Sequence, residues 1–224
     1  MRHGIPIALG YLSVSFGFGI MAVRMGISAA AAVGISVTNL TSAGQAMGVT
    51  IIAAGGSLFE MAMTQLIINL RYALMGLSLS PKLDDSFTTP KRMLAAYGIT
   101  DEIFAVASSQ PHKLTPSYMY GLIFSAFLGW SGGTFIGAYA GQIMPRNVID
   151  AMGIVLYGMF IAIIIPASKK KKSVLTAVIL AAIFSVIFKY LITAVSEGFA
   201  IIISAAAASV LCALLFKDTE DTEE

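Results

Sequence analysis

Four charged side chains lie in stretches that are otherwise apolar: Glu60, Arg71, Asp101 and Glu102. From Ala29 to Ser80, Glu60 and Arg71 are the only charges, and Asp101 and Glu102 are the only ones between Met93 and Ser109. Amides and hydroxyls accompany them at Asn39, Thr41, Ser42, Gln45 and Asn69. Carboxylates, a guanidinium and amides recognise polar ligands or carry protons. They lack the partners that bond-breaking chemistry needs. His3 and His112 fall outside the long apolar runs, so neither is placed as the base of a serine triad. No His-Glu-x-x-His occurs, and the lone Cys212 makes neither an intrachain disulfide nor a cysteine metal cluster. We therefore expect no enzyme, no catalytic residue, no metal and no cofactor.

The elements that must hold these groups lie in a membrane. Of the 224 residues 57% are hydrophobic and 12% charged, about half the charge of a soluble domain, and the mean hydropathy is +0.84. A net charge of +2 gives no reason to expect nucleic acid. Apolar runs at 5–23, 117–144, 149–167, 174–196 and 198–216 mostly reach the ~20 residues that span a bilayer. The expected fold is an all-α integral membrane protein, a polytopic helical bundle with at least one broken or re-entrant helix. Residues 1–216 form its single transmembrane domain, and 217–224 form an acidic, solvated tail.

The break is expected between Thr38 and Gln45, where five of eight side chains carry hydrogen-bonding groups and Gly44 weakens a helix. Unpaired backbone at membrane depth survives only against protein, water or a ligand. Two readings stay open: a break lining a substrate site, or a kink whose Ser and Thr bond to their own backbone.

Residues 58–80 read as a helix with one polar half, Glu60, Thr64, Gln65, Asn69, Arg71 and Tyr72. Such a half faces protein or a cavity rather than lipid. Glu60 and Arg71 lie roughly 16 Å apart along the axis, so each needs a partner elsewhere. Thr100 is a candidate N-cap, with Asp101 and Glu102 in the first turn behind it.

From Gly121 a small residue recurs every fourth position, through Ser125, Gly129, Gly133, Gly137 and Gly141, which suits close helix packing. Trp130, mid-run, is expected to point inward or border a cavity. Ala140-Gly141-Gln142 echoes Ala43-Gly44-Gln45, as a weak internal repeat would. The basic residues of 82–113 and 169–172 place those loops, and both termini, in the cytoplasm. That parity needs 28–57 to enter and leave on one side. An ordinary eight-span chain is the alternative.

Three local patterns resemble the large subunit of AzlC-type branched-chain amino acid exporters. Asn69-Leu70-Arg71 is similar to that family's Asn-Leu-Arg segment, Thr100-Asp101-Glu102-Ile103-Phe104 to its Thr-Asp-Glu-x-Phe segment, and Ser42-Ala43-Gly44-Gln45 to its Gly-Ala-Ser/Ala-Gln stretch. Ser42 stands where a glycine is usual. The order of segments holds over roughly residues 4–170. The resemblance implies ion-gradient-driven export of small hydrophobic amino acids across a bacterial cytoplasmic membrane, with a small hydrophobic AzlD-type second subunit, and it leaves room for a homo-oligomer. On that footing Asn39, Thr41, Ser42, Gly44, Gln45, Asn69 and Arg71 are the substrate-binding candidates. Glu60, Asp101 and Glu102 are the candidates for ion or proton coupling, and Gly129, Gly133 and Gly137 for helix packing. A non-transporting scaffold subunit that binds a partner helix is the competing reading.

Overall fold

Local chemistry sets where the helices begin. Ser28, Ser57, Thr100 and Thr115 each accept a hydrogen bond from the backbone N–H three residues on, so four helices start on side-chain caps, and Pro116 follows one of them. A computed structural model describes residues 2–141, 171–192 and 197–216, with scattered positions between them. Its helices are α1 (Gly4–Arg24), α2 (Ala29–Thr38), α3 (Ser42–Ala53), α4 (Leu58–Leu79), α5 (Thr89–Tyr97), α6 (Asp101–Ser108), α7 (Pro116–Ala140), α8 (Lys172–Tyr190) and α9 (Glu197–Leu215). Among the described residues there is no strand. Most of the apolar run at 149–167, Lys170 of the lysine cluster, and the tail 217–224 lie outside them.

The protein is an all-α membrane protein. α1, α7, α8 and α9 are long and apolar enough to cross a bilayer. α4 has 22 residues, or roughly 33 Å, and combines that length with its polar side chains.

The small-residue stripe of α7 forms the central seam. A Cβ added at Gly129, Gly133 or Gly137 would strike the backbone of Ala8, Leu12 or Phe16 respectively, and one at Gly19 would lie 2.5 Å from the Thr134 carbonyl. The offset between partners is the same at each step, so α1 and α7 run parallel along their length.

That parallel pair orients the rest. α2 descends along α7: Ala29 and Ala32 cluster with Ala138, Ser36 bonds Thr134 at 2.7 Å, and Leu40 joins the cluster containing Trp130. α3 then climbs back against α4, Gly44 facing Gln65 and Asn69, and Gly48 facing Met61 and Gln65. α2 and α3 thus enter and leave at one end of the bundle, as the re-entrant expectation for 28–57 requires.

α4 ends beside the start of α7, where Leu114 N–H donates to the Lys82 carbonyl (2.7 Å) and Asp84 N–H to the Leu114 carbonyl (3.0 Å). The α5–α6 pair starts and finishes at that opposite end. Gly98, at its tip, lies against Ile123 about two turns into α7. Lys82 Nζ donates to the Ser108 carbonyl and, at 3.3 Å, to that of Gln110, which offsets the negative end of α6. The chain therefore holds two broken helices entering from opposite ends. α8 and α9 pack on each other, and α9 contacts α4 and α3.

Candidate functional site

The two breaks converge in the middle of the bundle. Tyr97, at the tip of α5, donates to the carbonyl of Val37 near the tip of α2. The half-helices α3 and α6 begin a few residues beyond these tips, each with its positive N-terminal end at its own break.

The first break is held open by a buried polar network. Gln45, Ser36, Thr134 and Trp130 are each at most 1% exposed. Trp130 Nε1 donates to Gln45 Oε1 (2.7 Å), Gln45 Nε2 donates to Ser36 Oγ (2.8 Å), and Ser36 and Thr134 share a hydrogen bond. Such groups are costly to bury unless paired, and here they are paired. Trp130 faces inward, and its indole also meets Tyr11 edge-on. Gln45 thus shapes the site by fixing the path of the chain.

The break itself lies at Asn39–Thr41, in extended backbone (φ −149°, ψ 114° at Asn39), one turn before Gly44. Gly44 does not interrupt the helix. It lies in the first turn of α3, where a Cβ would meet Thr41 Oγ1, Gln65 Oε1 (2.7 Å) and Asn69 Nδ2 (3.1 Å). Its missing side chain lets α4 close in, so that Gln65 Nε2 donates to the Gly44 carbonyl (2.7 Å) and Asn69 Nδ2 to Gln65 Oε1 (3.0 Å). Among the described residues no side chain caps α3, and both Thr41 Oγ1 and Asn69 Oδ1 are buried without a partner. Ser42 lies beside them, partly buried, and Asn39 is partly exposed at the tip.

The polar half of α4 serves three neighbours. Gln65 and Asn69 face α3. Arg71 faces α6, its Nη1 2.8 Å from Asp101 Oδ2, its Nη2 donating to the Tyr72 hydroxyl (3.1 Å), and its Nε buried without a partner among the described residues. Glu60, 6% exposed, faces α9, where its Oε1 accepts the Gly198 N–H at 3.1 Å. A carboxylate suits that position, because the start of α9 and the first turn of α4 both favour negative charge. Thr64, also fully buried, lies beside Gly198.

On α6, Thr100 caps the helix as its spacing suggests, and its hydroxyl lies 2.6 Å from the Tyr11 hydroxyl of α1. Tyr11 also bonds the Glu102 carboxylate. Sequence reasoning missed Tyr11, because an aromatic in an apolar span carries no periodic signal. It also missed the Ser36–Thr134 link between segments far apart in the chain.

The echo of Ala43-Gly44-Gln45 at 140–142 occupies a different setting. Gly44 opens α3, whereas Gly141 closes α7, and Gln142 lies outside the described residues.

These features define a polytopic helical membrane protein with a polar centre between two oppositely entering broken helices. The family model described as AzlC protein matches residues 6–144, and the chain belongs to that family. It is similar to the inner membrane protein YgaZ of Escherichia coli, with 31% identity over 193 residues, covering 83% of this chain and 79% of the relative. A membrane protein of Archaeoglobus fulgidus is 28% identical over 75% of this chain and 74% of its own length, and one of Helicobacter pylori is 26% identical over the same shares. No solved structure matches the chain.

Proposed function

We propose that the protein is a secondary transporter subunit that exports branched-chain or similar small hydrophobic amino acids across the cytoplasmic membrane, working with a small hydrophobic AzlD-type partner. The observation that carries this reading is a pair of broken helices, joined at their tips by Tyr97 and Val37, with buried polar atoms near them that have no hydrogen-bond partner among the described residues. Thr41 Oγ1 and Arg71 Nε offer donors, and Asn69 Oδ1 offers an acceptor. A zwitterionic head group brings the complementary set, a carboxylate and an ammonium, and oriented N–H groups at helix starts suit its carboxylate. Arg71 serves the carboxylate end and Asp101 the ammonium end. Asn39 and Ser42 border the site, Gly44 gives α4 its close approach, and Gln45 positions the break. Met61, which lies against Gly48 of α3, supplies an adaptable apolar lining. The lysine-bearing 82–113 segment faces the cytoplasm, which sets the direction of the two re-entrant pairs.

Reconstitution in liposomes with the partner subunit tests this reading. Radiolabelled leucine is expected to exchange across the bilayer only when the protein is present. Leucine binding without any flux would favour the scaffold role instead.

A further inference from the structure

Resting on the transport reading, we infer that Glu102 is the group that takes up and releases the coupling proton, and that Tyr11 and Thr100 form the hydroxyl relay that accommodates both of its states. The three acidic candidates differ in what holds them. Asp101 is engaged with Arg71, and Glu60 caps the start of α9. Glu102 has no cation within ion-pair distance among the described residues, and its hydrogen-bond partner is the neutral phenol of Tyr11.

Charge counting leads to the same residue. Arg71, Asp101 and Glu102 together carry one more negative charge than positive when all are ionised. A zwitterionic substrate adds no net charge and leaves that excess in place. At membrane depth an unmatched charge is expensive, and protonation removes it. Protonating Asp101 or Glu60 would give up an ion pair or a helix cap, whereas protonating Glu102 gives up neither.

The relay explains why a buried tyrosine is built against this carboxylate. Tyr11 is 6% exposed and has one hydroxyl proton, yet its oxygen reaches both Glu102 and Thr100. With Glu102 ionised, Tyr11 donates to the carboxylate and accepts from the Thr100 hydroxyl. With Glu102 protonated, the new O–H donates to the Tyr11 oxygen, and Tyr11 turns its own proton to Thr100 Oγ1. Glu102 Oε2, the Tyr11 hydroxyl and Thr100 Oγ1 each keep a partner in both states, and within the cluster the O–H bond on Glu102 is the one bond made or broken, its proton exchanged with water. The charged and titratable groups around Glu102 are Tyr11 from α1, Arg71 and Tyr72 from α4, and Asp101 from α6. α7 contributes apolar residues such as Met119 and Leu122 to the packing beneath α6.

The test uses the full chain with its small partner in liposomes, comparing leucine-for-leucine exchange with leucine accumulation driven by an imposed pH gradient. Wild-type protein is expected to do both. Glu102→Gln, which mimics the protonated acid, is expected to keep exchange and lose more than tenfold of the gradient-driven accumulation. Accumulation by Glu102→Gln at the wild-type level overturns the inference. So does wild-type exchange that ignores the pH gradient, a result that leaves the transport reading intact. Absence of any wild-type exchange would refute the transport reading itself. Should Glu102→Gln fail to assemble, Tyr11→Phe serves, since it removes the relay hydroxyl and keeps the carboxylate. It is expected to displace the pH profile of exchange, and an unchanged profile overturns the relay.

Discussion

Gly132 and Gly133 are neighbours on α7, and the seam predicts opposite fates for their alanine variants. A Cβ at Gly132 meets nothing within 4 Å. A Cβ at Gly133 meets the Leu12 backbone and Ser15 Oγ. Both variants gain the same helix propensity, up to about 1 kcal/mol, so that term cancels in the comparison and leaves the steric one. Overpacking costs roughly 1–3 kcal/mol. The upper part of that range applies at Gly133, because helix backbone cannot rotate away as a side chain does. Gly132→Ala is therefore expected to be neutral or more stable, and Gly133→Ala to be less stable than Gly132→Ala by about 2–3 kcal/mol. The single tryptophan, Trp130, lies one turn away in the same seam and gives a fluorescence readout of unfolding in detergent. Equal midpoints for the two variants would mean that α1 and α7 do not touch at this glycine.

Gln45→Ala leaves the buried Trp130 indole N–H without its acceptor, at about 1–3 kcal/mol for an unsatisfied group, and leaves Ser36 bonded to Thr134 alone. It should lower the unfolding midpoint and shift Trp130 emission, and an unchanged midpoint would count against the network. Glu60→Gln keeps the shape of the α9 cap but loses its charge, so about 0.3–1 kcal/mol of stability should go in an unfolding titration while leucine affinity stays near wild type. Gly44→Ala should detach Gln65 from α3 and weaken leucine binding in calorimetry, whereas Gly34→Ala, where a Cβ meets nothing, should not. In a Cys212→Ser background, a cysteine at Ser86 should resist an impermeant thiol reagent applied to intact cells, and one at Gly55 should react. Labelling of Ser86 from outside would reverse the assigned orientation.

Much of this arrangement was readable from residue order, for physical reasons that differ by element. The small-residue stripe of α7 announced a close neighbour, because glycines four apart serve little else in a membrane helix, but α1 as that neighbour came only from the structure. Polar residues between Thr38 and Gln45 announced a broken helix, since lipid forbids open backbone. The place of the break was less legible: Gly44 draws attention as a helix breaker, yet it serves close packing, and three ordinary residues before it carry the extended backbone. The polar half of α4 looked like one surface because periodicity reports a face and not the number of neighbours covering it. Glu60, Asn69 and Arg71 in fact meet three different helices. Tyr11 was illegible because its role depends on Thr100 and Glu102, distant in sequence.

An amino acid is expected to bind between the two broken helices, and calorimetric titration of leucine into the detergent-solubilised complex measures that binding. Asn69 Oδ1 is a buried acceptor with no hydrogen-bond partner among the described residues. Asn69→Ala should weaken leucine binding by about 1–2 kcal/mol, one hydrogen bond to a charged group, while the unfolding midpoint stays within the range of ordinary surface variants. Arg71→Lys should weaken it further, because the planar guanidinium is lost. Wild-type affinity in both variants would place the binding site away from this centre.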